Sequence, residues 1–557
     1  MEKLMRHLPR GLVYFLLPLF FIAAGCKKNG AAENNSVVIA ISSDIERINP
    51  LYSFSLNEAN INELLFLSLV RHSWDEKSGD LVTEPMIAKE WKWEKDSSAI
   101  FIKLRNDINW SDGKKLTADD VIFSFDLYSD PLVESYLYGT FKNFYADKEN
   151  HIDVLKTFEK RSDYEVKINF IPGSRPSLYC LDFPVIPKHI FEKIDRKNLV
   201  NSELNFTPVS SGPFMFEKWD KNNVIVLKKN YSSPFSTEGN IGKIYFKIIP
   251  EYSSRLTQLK NGEIDLMEDV KAGDAKELSA NKAFTIIPVK GREYDYIGWN
   301  NIDPVIYQKT QKTVPHPILG NSLVRRALTL SINRNEILKE YLGGYGQIAN
   351  SPIAPIFKNA VNSTLKPYAF NIDSAKKLLA EAGWKDVNKD GVLEKNGKPF
   401  KLNIAITASK PRRALAAALI KNTYKQAGID LNVEQVEGSV FAEKLGARAF
   451  DAWMAGWFVP IPLDLKISWY GDLKKTPMNL CGFRDNRADR LLDEIENTSS
   501  ASKKNSLYRE LEELLYSEQP VSFLYWVDNI VACNSSIKNI EVNPLGVVHH
   551  CWKWTKK

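Results

Sequence analysis

Three of the four carboxylates in the stretch 108–128, INWSDGKKLTADDVIFSFDLY, fall within nine residues: Asp112, Asp119 and Asp120. Acids this close could share a divalent cation or work as an acid–base pair. Local chemistry offers a plainer account. Ser111-Asp112-Gly113-Lys114 has turn composition, with Gly113 free to take positive φ and Asp112 able to bond its own backbone. Thr117 suits a helix N-cap, and Asp120 occupies the capping-box position three residues on. Asp119 and Asp120 then lie at the positive end of the helix dipole. Val121, Ile122, Phe125 and Tyr128 follow at helical spacing. A turn followed by a capped helix accounts for every acid, so these residues are expected to be scaffold.

Two further clusters invite a metal. Asp386, Asn388, Asp390 and Gly391 open like a calcium loop, but the twelfth position, where a bidentate Glu belongs, is Gly397. Lys389 and Lys395 also sit there, so a hairpin turn before Phe400 is expected. His549-His550-Cys551 offers soft ligands, yet three adjacent residues rarely converge on one ion. The other five histidines, His7, His72, His151, His189 and His316, show no HExxH spacing. The sequence holds no GxSxG elbow, Walker A loop or GxGxxG turn. Gly343-Gly344-Tyr345-Gly346 follows a helical pattern and reads as a C-cap and turn. No catalytic residue, metal or cofactor is therefore expected. Paired carboxylates leave little signature, so a hydrolase stays open as an alternative of another class.

The chain around these residues has 557 positions, 44% hydrophobic and 25% charged, which is ordinary globular composition. Length alone suggests about three or four domains. The net charge of +6, from 74 basic and 68 acidic residues, is weak and argues against a nucleic-acid partner. Aromatic side chains at 11% can wall a ligand cleft, although most belong in a core.

At the N-terminus, Lys3, Arg6 and Arg10 precede an apolar stretch, 11–24, too short for a comfortable membrane span. Residues 1–25 read as a secretory signal. Ile22-Ala23-Ala24-Gly25-Cys26 resembles the bacterial lipoprotein lipobox, which implies lipidation of Cys26 and a polar tether over 26–36. The expected location is a bacterial membrane surface, periplasmic or extracellular. An exported site permits disulfides among Cys180, Cys481, Cys533 and Cys551, with Cys533–Cys551 conceivable.

Hydrophobic patterning predicts an α/β protein. Strands are expected at 36–43, 164–170, 224–227, 243–249, 402–407 and 430–436, with a hairpin over 91–104. Helices are expected at 322–342, interrupted near Asn333, and at 373–382, 413–426, 488–496 and 503–517.

An ordered set of short motifs then runs along most of the chain. Pro85-Met86-Ile87-Ala88-Lys89-Glu90-Trp91, Trp110-Ser111-Asp112-Gly113 and Leu116-Thr117-Ala118-Asp119-Asp120-Val121 come first. Pro184-Val185-Ile186-Pro187, Ser211-Gly212-Pro213-Phe214, Asn261-Gly262-Glu263-Ile264-Asp265 and Tyr296-Ile297-Gly298-Trp299-Asn300 follow. Val324-Arg325-Arg326-Ala327-Leu328, Ile332-Asn333-Arg334 and Gly456-Trp457 complete it. The set resembles the family 5 extracellular solute-binding proteins, the peptide and nickel receptors of ABC importers. The resemblance implies a two-lobed periplasmic-binding-protein-like fold that closes on ligand like a flytrap. Lobe one would take 36–300 plus 520–557, with an inserted subdomain over 61–184, and lobe two 301–519. It implies a monomeric receptor that delivers oligopeptides or a similar small solute to an ABC permease and its ATPase.

Peptide-binding relatives commonly carry an aspartate three residues after the Gly-Trp, for the peptide ammonium. Here Phe458-Val459-Pro460 follows, and Asp464 is the expected substitute after a shift. Relatives of dipeptide type place an arginine ahead of a helix for the ligand carboxylate. This chain has Lys410-Pro411 there, followed by Arg412 and Arg413. Lysine is a point charge rather than a bidentate fork. The candidate ligand-binding residues are thus Trp457, Asp464, Lys410 and Arg412. The plainer readings are a core edge for Trp457 and a solvated loop for Lys410. The missing acid also keeps a non-peptide solute, such as a metal chelate or an oligosaccharide, in view.

Overall fold

Ser36–Ile41 (SVVIAI) is β-branched and almost wholly buried, as befits a strand covered on both faces. It pairs in parallel with Lys243–Ile248 on one side and with Leu266–Met267 on the other. The computed structural model describes residues 35–557; the signal-like segment 1–25, Cys26 and nearly all of the expected tether lie outside the described residues.

One mixed sheet runs through the molecule. Its order is Asp430–Val436, Lys401–Thr407, Ala452–Phe458, Phe284–Trp299, Val521–Asn534, Leu266–Met267, Ser36–Ile41, Lys243–Ile248, Val224–Lys229 and Phe214–Asp220. Phe284–Trp299 and Val521–Asn534 are antiparallel partners through most of their length. Their register slips between Val289 and Glu293, where the paired positions opposite are Asn529 and Val527. These strands join two bodies with separate apolar cores. One core gathers Val37, Ile39, Ile244 and Phe246; the others gather Tyr294, Phe523 and Trp453, and Ile297, Ile404 and Tyr525. Each fully buried side chain of this size contributes about 1.5–3 kcal/mol.

A glycine sits where the two strands cross. A Cβ added to Gly291 would lie 1.6 Å from the Val527 carbonyl oxygen. That approach of backbone to backbone needs a residue with no side chain.

A separate antiparallel sheet, in the order Ala88–Trp93, Ala99–Leu104, Glu165–Asn169 and Phe158–Ser162, lies within 88–169. Its Ile100, Ile102, Val166 and Ile168 are buried beneath the helix Ala118–Ser129. Phe125 of that helix meets Phe141, Phe144, Phe158 and Phe183 at ring separations of 4.7–5.8 Å. The helix starts where capping chemistry requires, since the Thr117 N–H donates to Asp120 Oδ2 at 2.9 Å. Pro411–Gln426 begins with proline in its first turn, the position that tolerates a missing N–H. Ser322–Leu330 and Arg334–Leu342 are two helices, capped by Asn321 and Asn333.

The conceivable disulfide does not form. Cys180, Cys481, Cys533 and Cys551 are all free, and the last three are buried thiols. No helix of the described residues is long and apolar enough to cross a membrane.

Candidate functional site

The strand directions locate a cleft. Ser36–Ile41, Lys243–Ile248 and Leu266–Met267 run parallel, and so do Lys401–Thr407, Asp430–Val436 and Ala452–Phe458. Phe284–Trp299 enters the second set antiparallel to Ala452–Phe458, after leaving the first. The carboxyl ends of both sets therefore face one crevice at the crossing of the long strands. Crevices beyond the carboxyl ends of parallel strands are where open α/β sheets bind ligands.

A cavity of about 350 Å³ is lined by Asn62, Arg71, His72, Tyr179 and His549 from one body and, from the other, by Ile461, three residues beyond the end of Ala452–Phe458. The Tyr179 hydroxyl donates to the Ile461 carbonyl across it at 3.3 Å. Two larger hollows, about 910 Å³ over Trp91, Trp93 and Phe101 and about 780 Å³ between Tyr307 and Asp489, are each lined by one body alone. Enclosure between two bodies matters more than volume for a ligand that must be held and released.

The cavity rests on a polar base. His549 Nδ1 lies 2.8 Å from Glu63 Oε1, and His550 Nε2 lies 2.9 Å from Glu84 Oε2. His550 Nδ1 meets Glu541 Oε2 at 3.1 Å, and His72 Nδ1 meets Asp182 Oδ2 at 2.8 Å. His549 and His550 thus hold different carboxylates, while their Nε2 atoms share the Ser73 hydroxyl at 3.3 and 3.5 Å. Burial alone would raise the Glu63 carboxyl, but Arg71 and His549 outweigh it and hold it at about 2. Glu84 is likewise held at about 2, by His550 and Ser73 against burial.

The expected ligand residues part company. Lys410 and Arg412 share the start of the helix Pro411–Gln426, at the crevice edge. Lys410 is exposed, and its ammonium has no partner among the described residues. Arg412 is occupied: its Nε lies 3.0 Å from Asp295 Oδ2 and its Nη2 lies 2.6 Å from Glu293 Oε1. Arg413 Nη2 takes the other Asp295 oxygen at 2.9 Å. Trp457 ends its strand beside Tyr294 and is half-buried against the second body's core. Asp464 is exposed, accepts the Lys466 N–H at 2.9 Å, and shares no hydrogen bond or ion pair with the other three.

Two residues at the crevice were not found by motif. Glu268 follows Leu266–Met267 directly and is half-buried, with no hydrogen bond or ion pair among the described residues. Burial, with the charge of Asp269, raises its carboxyl to about 7. Arg292 lies at the strand crossing, its guanidinium 4.1 Å from the Phe458 ring centroid. Two cations, Lys290 and Arg292, around a glycine in the middle of a β-branched and aromatic run were the available signal.

Residues 82–476 match the family described as bacterial extracellular solute-binding proteins, family 5 Middle. The chain belongs to this family. Its relatives include the oligopeptide-binding protein AppA of Bacillus subtilis, 27% identical over 558 residues that cover 97% of each chain. The dipeptide-binding protein of Escherichia coli is 22% identical over 85% of this chain and 86% of its own. Among solved structures, AppA of Bacillus subtilis in complex with a nonapeptide is 26% identical, with a TM-score of 0.68 over 94% of this chain and 99% of that one. NikZ of Campylobacter jejuni in complex with Ni(L-His) is 26% identical, with a TM-score of 0.70 over 94% and 100%.

In this family 5 chain the acids of the opening stretch are all engaged structurally. Asp112 Oδ2 meets His189 Nε2 at 2.7 Å, Asp119 pairs with Lys160 at 2.7 Å, and Asp120 accepts the N–H groups of Thr117 and Lys188. The calcium-like loop folds as a turn into the hairpin Glu394–Lys395 and Lys398–Pro399. Oxygens of Asp386, Asp390 and Glu394 come within 4.8 Å of one another, while accepting the N–H groups of Gly391, Val392 and Val387. The family and these relatives are solute-binding proteins, and the site lies in a crevice between two bodies.

Proposed function

We propose that the protein captures oligopeptides, or a solute of similar size and polarity, between its two lobes and delivers them to a membrane permease driven by an ATPase. The observation that carries this reading is the kinship, over 97% of both chains, with an oligopeptide-binding protein. A cavity between two bodies joined by two strands, with histidine–carboxylate pairs beside it, supports it. Hinge closure about such strands removes the ligand from water. The lobes divide at 300 and 520, with 61–184 as the inserted subdomain.

Trp457 walls the crevice and Lys410 stands at its edge as a movable cation. Glu268, rather than Asp464, receives the ligand's ammonium, because Asp464 is already held in its own turn. Arg412 is a positioning residue for this wall. Cys26 carries the lipid that holds a monomeric receptor at the membrane. The departure at Phe458-Val459-Pro460, together with likeness to a structure in complex with Ni(L-His), favours a metal chelate as the second reading.

The test is to extract the intact protein in detergent and identify co-purifying small molecules by native and denaturing mass spectrometry. A ladder of short peptides is expected. A single non-peptide species would overturn the peptide reading in favour of the second. In the same preparation Cys26→Ala should leave the membrane fraction; retention there would overturn lipid anchoring. Glu268→Gln should weaken the captured peptide about tenfold, as loss of a charged hydrogen bond does, and Asp464→Ala should not.

A further inference from the structure

A guanidinium drawn into a protein is ordinarily matched in one of two ways, by carboxylates or by carbonyl oxygens. This chain shows both. Arg412 and Arg413 share Asp295 and Glu293. Arg334 has no carboxylate, but its Nη1 and Nη2 reach the carbonyls of Ala349, Phe523 and Tyr368. Arg292 has neither solution. Of its five N–H donors, one is used, from Nη1 to the Val459 carbonyl at 2.9 Å. No carboxylate ion-pairs with it among the described residues.

Its position is specific. Arg292 lies in the register slip between Val289 and Glu293, where the two long strands pass between the lobes. Its own carbonyl accepts the Val459 N–H at 2.9 Å, so backbone and side chain clamp the same residue. The guanidinium is centred 4.1 Å from the ring of Phe458, which is 61% exposed. Two residues past Val459, Ile461 meets Tyr179 of the other lobe. The free edge of Arg292 therefore stands where both lobes contribute to the crevice. Burial lowers its pKa to about 10, which leaves it charged at neutral pH.

We propose that Arg292, its guanidinium 4.1 Å over the Phe458 ring, receives a carboxylate of the ligand. The proposal deepens the peptide-receptor reading and rests on it. Stacking on an aromatic face fixes the plane of the fork, and a fixed planar fork suits a carboxylate better than a lysine would. A ligand carboxylate supplies the missing counter-charge, which no side chain among the described residues provides. Lys410 then assists from the far edge instead of serving as the main anion site.

The test uses three pools of synthetic tetrapeptides on the intact detergent-extracted protein, read by calorimetry. The first has free C-termini and no Asp or Glu, the second is the same pool amidated, and the third is amidated with one internal Asp or Glu. The wild-type protein should bind the first pool at least about tenfold more tightly than the second, and Arg292→Gln should lose that preference. Phe458→Leu, which removes the platform and keeps the cation, should lose part of it. Binding of the third pool would assign the carboxylate to a ligand side chain. Thermal unfolding of each variant separates loss of fold from loss of binding. Equal wild-type affinity for all three pools, or Arg292→Gln binding like the wild type, would overturn the proposal. Should no pool bind, the peptide reading fails by itself, and the compounds that co-purify decide about Arg292. A carboxylate-bearing compound lost in Arg292→Gln upholds the assignment, and an unchanged compound or a neutral one overturns it.

Discussion

Arg412 Nε lies 3.0 Å from Asp295 Oδ2, and this contact makes the arginine part of the wall instead of a free anion site. Asp295 is fully buried and also takes Arg413 Nη2 at 2.9 Å and the Tyr525 hydroxyl at 3.0 Å. Removing its charge leaves buried Arg413 with only Glu293, at 3.9 Å, as a counter-ion. Asp295→Asn should cost about 3–5 kcal/mol in urea unfolding. Arg412→Gln should cost less, since Glu293 and Arg412 are partly exposed, and should change peptide affinity less than about twofold. A large affinity loss without a stability loss would return Arg412 to the ligand site.

Stability should pass through a maximum with pH. Glu63 and Glu84 have folded values of about 2, below the ordinary 4.5, so they add stability above 4.5 that is lost as pH falls toward 2. Glu512 acts in the opposite sense. Burial raises it to about 7 against the pull of Ser351 and Asn362, so its contribution is present below 4.5 and is lost as pH rises through 7. The urea midpoint of the wild type should decline between about pH 4.5 and pH 7, and Glu512→Gln should flatten that decline. An unchanged slope in the variant would assign the decline elsewhere.

Gly291→Ala tests the strand crossing. The new Cβ would stand 1.6 Å from the Val527 carbonyl, so the strands must part. A loss of about 1–3 kcal/mol is expected in thermal or urea unfolding, typical of forced overpacking. Ligand affinity should fall with it, because Arg292 is the next residue.

The opening acids give a graded series. Asp120→Ala removes the acceptor of two backbone N–H groups and should cost about 1–2 kcal/mol. Asp119→Ala breaks an exposed pair with Lys160 and should stay within about 0.5 kcal/mol. Peptide affinity should be unchanged in both. A binding defect in either would contradict their scaffold role.

Local chemistry was legible wherever one element could be judged from its own residues. The run 36–43 forms Ser36–Ile41, the break near Asn333 separates two capped helices, and 413–426 lies within Pro411–Gln426. The two strands that join the lobes escaped. Val521–Asn534 is buried on nearly every residue, so it carries no alternation to read. Phe284–Trp299 has Pro288, Lys290 and Gly291 at its centre, where the register slips and a period of two is broken. The site divides in the same manner. Trp457 and Lys410 sit beside motifs. Arg292 has its contacts with Phe458 and Val459, and Arg412 with Asp295, all far along the chain and so outside the reach of a local motif.

The sheet order sets a timetable for assembly. Val521–Asn534 lies between Phe284–Trp299 and Leu266–Met267, so the strand that completes the middle of the sheet comes almost last in the chain. An N-terminal body waiting for that strand exposes the unpaired edges of Leu266–Met267 and of the first half of Phe284–Trp299. Everything between Glu293 and Val527 must be emitted, and those two register partners brought together, before the gap is filled. A chain cut anywhere in that interval would keep most of its residues and still present two open strand edges, the condition that invites aggregation and clearance by proteases.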